Sequence, residues 1–344
     1  MRVTNSMLVS NYMNNLNGSL GRLDRYQGQL ATNRKWANVS DDPVSVIYSQ
    51  QANYRLDRLR QYQGNVGQAL KWATQVEGGI MELNEVIKSA YEACVGAATD
   101  IMDKRDMTNA AQYVKQLRDH ILQTLNTTYG DKYVFGGYNA SGHVDANRQI
   151  GPFSAQEVTD PVTGEVTGSQ LCFNGIPISA LEANAALPAI DQDPQLSEVY
   201  AHFQGQVIRY DVGVGLEMEV SYNPSNLVQT GGTNLYELVS GLYFEMVRDG
   251  ATAEDISSHI QGLQSAQSHL LASAAEVGGR VNRLEILEAR YEQDEIAYLQ
   301  MKSDAEDADQ AEVIMHYKMA ESVYKAALST GAYIIQPTLM DFLR

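Results

Sequence analysis

The residues that could perform catalysis or hold a metal ion are few in this chain. The six histidines are scattered along the sequence, and each is interpreted as structural or exposed. The strongest candidate for a metal site is an acidic run: Asp304, Glu306, Asp307, Asp309 and Glu312. It lacks the central glycine and the ligand spacing of a calcium loop, so a solvated helix face is the favoured interpretation. We therefore predict neither a metal nor another cofactor.

The motifs of nucleophilic and nucleotide chemistry are also missing. The sequence contains no Gly-x-Ser-x-Gly elbow and no phosphate-binding loop. Gly213 and Gly215 begin a dinucleotide-like pattern, but Met218 stands where the third glycine belongs. An enzyme within residues 136–232 remains a hypothesis, although its polar residues stand at no catalytic spacing: His143, Cys172, His202 and Asp211. The prediction is that the chain is not an enzyme.

The charge of the chain excludes two kinds of partner. Lys and Arg number 25 against 42 Asp and Glu, which gives a formal net charge of −17. Nucleic acids and anionic membranes attract clustered cations, so neither is an expected partner. Cys94 and Cys172 do not form a disulfide framework. The sequence shows no signal peptide and no membrane-spanning stretch, so any export is expected to bypass the general secretory route.

A long apolar stripe over residues 59–101 organises the chain. From Leu59, steps of three and four residues reach apolar or aromatic side chains as far as Ile101. The average step between these apolar residues is about 3.5 residues, which is typical of a helix that packs against partners along one seam. The stripe is therefore predicted to be core and not a binding site. Asp42 and Pro43 predict where this helix begins, because aspartate caps free N–H groups and proline presets φ.

Both ends of the chain carry weaker seams of the same kind. Glycines and Gln27 interrupt the seam over residues 5–32, so this helix is predicted to order when a partner covers it. Residues 1–35 hold five Lys or Arg against one Asp, and residues 281–312 hold ten Asp or Glu against three Lys or Arg. These opposite charges favour pairing of the two ends. The predicted assembly seam is Val9, Met13, Leu16, Leu20, Leu23, Leu30, Val313, Tyr317, Tyr324, Leu328 and Ile334.

Between the helical ends, the sequence predicts a β-rich insert. A short strand is predicted from Tyr133 to Gly137, and one half-buried strand from the alternating residues between Val212 and Tyr222. A turn is predicted over residues 160–164. Further helices are predicted over residues 108–127, near 180–186, over 234–248 and after 253, with a break at Gly331 and an end at Pro337.

The predicted fold is mainly α with an inserted β-rich domain, as a long coiled-coil bundle built from both chain ends. Three domains are expected. Residues 1–35 with 305–344 form a terminal coiled-coil assembly domain, residues 36–135 with 233–304 form a helical rod, and residues 136–232 form the β-rich outer domain.

Four short motifs resemble a known family. They are Ser40-Asp41-Asp42-Pro43, Tyr133-Val134-Phe135-Gly136-Gly137, the segment containing Asn282, Arg283, Leu284 and Glu285, and the run containing Asp307 and Asp309. The order of these motifs is specific to the flagellin-related axial proteins of the bacterial flagellum. The chain resembles that family over residues 1–138 and 233–344. Pro43 after the paired aspartates and the Asp341-Phe342-Leu343 ending are closer to hook–filament junction proteins. The terminal Leu343-Arg344 is similar to flagellin.

The resemblance implies a structural role. It implies a coiled-coil, flagellin-like fold whose terminal helices are disordered in the monomer and form an inner tube after assembly. The expected partners are further copies of the chain in a ring, the adjacent hook-associated protein, flagellin, and a cytoplasmic export chaperone at residues 313–328. The expected location is the extracellular flagellum, reached through its type III export apparatus. The alternative is a divergent flagellin that forms the filament itself. Asn33 replaces the family's usual glycine, and asparagine also tolerates the left-handed region.

Overall fold

The computed structural model describes residues 5–99, 104–137, 143–145, 148–159, 166–188, 191–204, 207–230, 233–248 and 251–334. Its fold is mainly helical with a small inserted β region, as the sequence predicted. The helices are α1 Asn5–Thr32, α2 Pro43–Ala98, α3 Lys104–Leu125, α4 Ile178–Ala185, α5 Pro194–Gln204, α6 Pro224–Val228, α7 Leu235–Val247, α8 Ala253–Glu306 and α9 Gln310–Ile334.

The strands are short and pair antiparallel. Two-stranded pairs are β1 Thr128–Tyr129 with β2 Lys132–Tyr133, β3 His143–Asp145 with β4 Arg148–Ile150, β8 Arg209–Gly213 with β9 Leu216–Glu219, and β10 Gln229–Thr230 with β11 Thr233–Asn234. A three-stranded sheet contains β5 Phe153–Thr159, β6 Val166–Phe173 and β7 Ile176–Pro177 in that order. Phe153 pairs with Phe173 across β5 and β6, and their rings meet edge to face at 5.3 Å.

The chain divides into two compact units. The first consists of Met1–Gln61 and Tyr291–Arg344, and the second is Tyr62–Arg290. The three domains expected from the sequence are a finer division, which stays a prediction.

The apolar stripe of α2 lies in the core of the second unit. The residues along it that are fully buried are Val66, Ala69, Ala73, Val76, Ile80, Leu83, Ile87, Ala90 and Cys94. Tyr62 is half-buried, and Ile101 lies outside the described residues. In the same unit α3 buries Val114, Ile121 and Leu125, while α8 buries Leu263, Ala266, Leu270 and Leu284. The prediction that the stripe is core is confirmed.

The strand predicted from Tyr133 to Gly137 is wrong beyond Tyr133. Pairing with β1 ends there, and Val134 and Phe135 then enter the core. The Phe135 ring packs against Gly79 of α2, where an added Cβ would lie 2.7 Å from ring carbon Cε2. A large aromatic ring buries more apolar surface in the core than it would bury on a two-stranded ribbon.

Two further predictions about single elements are wrong. The alternating residues between Val212 and Tyr222 form the hairpin of β8 and β9 instead of one strand, with Val214 78% exposed at the turn. A hairpin preserves alternation on both arms, so period two alone does not reveal the turn. Helix α9 passes through Gly331, whose missing side chain leaves room for the Tyr12 hydroxyl. The predicted turn at residues 160–164 and the predicted end at Pro337 lie outside the described residues.

Both cysteine thiols are expected to be unreactive in the folded protein. Burial raises the pKa of the Cys94 thiol to about 11, and this thiol donates a hydrogen bond to the Ile256 carbonyl oxygen at 3.3 Å. Burial also raises the pKa of Cys172. Because the thiolate is the reacting form, labelling of Cys94 at pH 8 should be about a hundredfold slower than in denaturant, and labelling of Cys172 should be slower as well. Stoichiometric labelling of the native protein within seconds would contradict this expectation.

Candidate functional site: the terminal helices and their linkers

Two linkers lie side by side in the first unit. Residues 33–42 join α1 to α2, and residues 307–309 join α8 to α9. Arg34 and Asp307 form an isolated antiparallel bridge. The Lys35 N–H donates to the Glu306 carbonyl oxygen at 2.8 Å, and the Ala308 N–H donates to the Asn33 carbonyl oxygen at 3.0 Å. Backbone hydrogen bonds thus fix where the chain enters and leaves the terminal helices.

Asn33 makes the turn that brings the first linker into this position. Its φ is +57°, in the left-handed region, so the prediction that asparagine serves in place of glycine is confirmed. Its side-chain oxygen accepts a hydrogen bond of 3.0 Å from the Gln310 amide at the start of α9. The turn therefore also ties the two terminal helices together.

Glu306 is a buried carboxylate between the linkers. The Ser49 hydroxyl donates to it, and the Arg34 guanidinium lies 3.5 Å away. The Trp36 indole N–H donates to the neighbouring Ala305 carbonyl oxygen at 3.3 Å. The prediction that the acidic run is a solvated helix face is therefore wrong for Glu306, because residues from distant parts of the chain cover its carboxylate. Asp304, Asp307, Asp309 and Glu312 are exposed as expected.

Replacing Glu306 should loosen the first unit. Glu306→Ala leaves Ser49 and Arg34 without their carboxylate, and we expect a loss of about 1.5–3 kcal/mol of unfolding free energy. Denaturant titration followed by tryptophan fluorescence would measure it. Asp307→Ala is the matched control, because this carboxylate is exposed and accepts a hydrogen bond from the Ser303 hydroxyl, four residues earlier. Equal losses in both variants would contradict the structural role of Glu306.

The family motif at the start of α2 shapes the first linker. The backbone N–H groups of Asn38 and Ala37 donate to the Asp41 carboxylate at 2.9 and 3.2 Å and lower its pKa. The Ser45 hydroxyl and N–H donate to Asp42 at 2.6 and 3.1 Å, and these bonds lower the pKa of Asp42. Asp42 thus caps the helix that Pro43 begins, as predicted.

The remaining motif residues lie in α8, in the first linker and at the start of α9. Asp309 caps α9, because its carboxylate accepts hydrogen bonds from the N–H groups of Ala311 and Glu312 at 2.9 and 3.3 Å. Ser40 is exposed in the first linker. On α8, Leu284 is buried, whereas Asn282, Arg283 and Glu285 are exposed.

Helices α1 and α9 pack against each other. The Tyr12 hydroxyl donates to the Ala327 carbonyl oxygen at 3.0 Å, and the Tyr26 ring stacks on His316 at 5.5 Å. Ser19 is buried between the same helices. These polar and aromatic residues were not predicted, because a search for apolar heptads passes over them. Their signal was their spacing of seven residues, from 12 to 19 to 26.

The predicted assembly seam divides into two groups. The half-buried or buried members are Val9, Leu16, Leu23, Leu30, Val313, Tyr317 and Tyr324. The exposed members are Met13, Leu20 and Leu328. The side chain of Ile334 lies outside the described part of the chain. Packing of α1 on α9 thus leaves part of the seam without a cover in the single chain.

A second exposed apolar row runs along α9. Met315, Met319 and Val323 recur every four residues, and each is more than half exposed. This row was not predicted from the sequence, although its residues stand at a regular helical spacing of four. A helix with apolar residues on two sides packs against two partners. Together with Met13 and Leu20, this row makes the terminal helices the candidate site of assembly.

Comparison with known proteins shows which proteins this chain resembles. Residues 3–140 match the bacterial flagellin N-terminal helical region. Over 329 residues, the chain is 21% identical to flagellar hook-associated protein 3 of Escherichia coli K12, covering 95% of each. Over 332 residues it is 20% identical to flagellar hook-associated protein 3 of Salmonella typhimurium LT2, covering 96% of each. The chain is therefore similar to the hook-associated proteins 3 (FlgL) along nearly its whole length.

Solved structures show the same fold. A chain described as a flagellar hook-associated protein of Vibrio parahaemolyticus aligns with a TM-score of 0.57 and 15% identity, over 78% of this chain and all of that one. FlgL of Xanthomonas campestris aligns with a TM-score of 0.51 and 11% identity, over 73% and 99%. The FlgL-type architecture therefore persists where identity is low.

Two structural features are absent from the described residues. There, no helix is both long enough and apolar enough to cross a bilayer. Across the same ranges, no three or more His, Cys, Asp or Glu side chains form a group that could hold a metal ion.

Proposed function

We infer that this chain is a structural component of the flagellum at the junction between hook and filament, and not an enzyme. The observation that carries this inference is its alignment over nearly its whole length with two hook-associated proteins 3. Because the alignments include both helical ends, they cover the segments that hold the exposed apolar rows.

We propose that the chain acts as an adaptor ring. Copies of it would associate through the terminal helices, with the adjacent hook-associated protein on one side and flagellin on the other. Support comes from Met13 and Leu20 on α1 and from Met315, Met319 and Val323 on α9. Removing such apolar surface from water contributes about 25 cal/mol per Å², which favours association of helices that expose it.

The same row on α9 supports an export step. We propose that a cytoplasmic chaperone covers residues 313–328 until the chain enters the flagellar type III apparatus. Methionine side chains adapt to differently shaped partners, so one surface can serve first the chaperone and then the assembled tube. This route would deliver the chain to the extracellular flagellum.

Deletion of the gene tests the proposed function. Cells without the chain should carry hooks that lack filaments and should release flagellin into the medium, and the wild-type gene should restore filaments. Normal filaments in the deletion strain would contradict the junction role. A divergent flagellin would instead polymerise from purified subunits into long filaments, which we do not expect.

A further inference from the structure

Exposed methionines are concentrated on the two terminal helices. Within the described ranges, six methionines are exposed, and four of them lie on α1 and α9: Met7, Met13, Met315 and Met319. The other two are Met81 on α2 and Met301 on α8. By contrast, Met218 and Met246 in the second unit are each only 4% exposed. The exposed thioethers therefore lie mostly on the helices that form the candidate site of assembly.

A thioether is an apolar group that an oxidant can convert into a polar one. A hydroperoxide transfers one oxygen atom to the sulfur, so an S–O bond forms and the O–O bond breaks. The sulfur loses two electrons, and the hydroperoxide is reduced to an alcohol, or to water when it is hydrogen peroxide. The product is methionine sulfoxide, which reductases convert back to methionine. Because the oxidant must reach the sulfur, exposure decides which methionines react.

The surroundings of Met319 offer a donor to the added oxygen. Met319 lines a hollow of about 180 Å³ between α1 and α9, together with Arg22, Tyr26 and His316. The Arg22 guanidinium donates to the Ser19 hydroxyl at 3.0 Å, and a guanidinium carries five N–H donors in all. A sulfoxide oxygen is a hydrogen-bond acceptor, so this hollow can hold it in the single chain.

Oxidation would change the exposed rows from apolar to polar. Met315 and Met319 are two of the three members of the α9 row, and Met13 belongs to the row on α1. A sulfoxide in a seam between chains buries a polar oxygen, which opposes association unless the partner supplies a donor. Methionine-rich contacts are disrupted by this modification for the same reason.

We propose that Met13, Met315 and Met319 are sites of reversible oxidation by hydroperoxides, and that their sulfoxides prevent assembly through the terminal helices. The proposal rests on the adaptor-ring function and adds a redox control to the same surface. A chain that is oxidised before assembly stays unassembled until a methionine sulfoxide reductase restores the thioethers.

Treatment of the purified chain with hydrogen peroxide tests the modification sites. Peptide mass spectrometry should show that sulfoxide forms at Met13, Met315 and Met319 at least about tenfold faster than at the buried Met218 and Met246. In denaturant the five rates should become equal, because every sulfur is then accessible. Equal rates in the native protein would overturn the assignment. This measurement does not depend on the junction role.

Production of the chain in cells that lack the wild-type gene tests the consequence. In sublethal hydrogen peroxide, the fraction of hooks that carry filaments should fall at least about tenfold for the wild-type chain, relative to untreated cells. A triple variant with Met13→Leu, Met315→Leu and Met319→Leu should stay within about twofold of its own untreated fraction, because leucine has no sulfur to oxidise. The matched control, Met81→Leu with Met301→Leu, should fall as the wild-type chain does.

The outcomes separate this proposal from the junction role. A triple leucine variant that loses filaments in peroxide as the wild-type chain does would overturn the proposal, because oxidation at another place would then be the cause. If cells without the chain carry normal filaments, the junction role fails, while the peroxide rates of the purified chain still decide whether these methionines are oxidation sites.

A further measurement requires no variant. After peroxide treatment of cells that produce the wild-type chain, newly assembled chains should carry at least about tenfold less sulfoxide at the three methionines than chains that remain unassembled. Equal sulfoxide content in the two pools would show that oxidised chains assemble, which contradicts the proposal.

Discussion

Phe135→Ala should remove about 3–5 kcal/mol of unfolding free energy from the second unit, as expected when a buried aromatic ring is lost. The ring is fully buried and lies against the backbone of α2 at Gly79. This contact secures the bend that follows β2, because the two-residue ribbon of β1 and β2 is too short to be stable alone. Denaturant unfolding followed by circular dichroism would measure the loss.

Gly79 and its neighbour Gly78 provide a matched pair for the same contact. Gly79→Ala places a methyl group 2.7 Å from Phe135 Cε2 and should cost about 1–3 kcal/mol. Gly78→Ala meets no atom within 4 Å and should stabilise the helix by up to about 1 kcal/mol. In the Phe135→Ala background, Gly79→Ala should lose its penalty, since the ring that it strikes is gone. A penalty that persists there would show that the contact is not its cause.

The sequence predicted those features that depend on nearby residues. The stripe of α2 followed from its spacing, because one buried face determines a helical period. The cap at Asp42 and the left-handed turn at Asn33 followed from the chemistry of a single side chain. The family motifs also located both linkers, although they did not show that the linkers touch.

Features that depend on distant residues could not be predicted in this way. Glu306 is buried because Ser49 and Arg34 meet it from more than 250 positions away in the chain. The row of α1 that faces α9 includes Tyr12, Ser19 and Tyr26, which an apolar pattern does not single out. The hairpin at Val214 and the short helices α5 and α6 arise in a region where period two and short polar segments fit several arrangements.

Leu20→Asp should abolish the joining of filament to hook and leave the folded chain intact. Leu20 is 47% exposed, so a carboxylate there stays hydrated in the single chain and costs little stability. In an assembled seam the same charge would be buried without a partner, which costs several kcal/mol for each copy and is repeated around a ring. Electron microscopy of complemented deletion cells should show hooks without filaments, while circular dichroism of the purified variant matches wild type.

Asn14→Asp is the control for Leu20→Asp, because it adds the same charge to α1 at an exposed position away from the seam. It should support normal filaments. Tyr324→Asp should also stop assembly, but this half-buried residue faces α1, so the variant should show a weakened α1–α9 pair as well. The difference between the two variants separates contacts within a chain from contacts between chains. If cells with Leu20→Asp carry a normal number of filaments, this row of α1 is not part of the assembly surface, whatever the result with Tyr324→Asp.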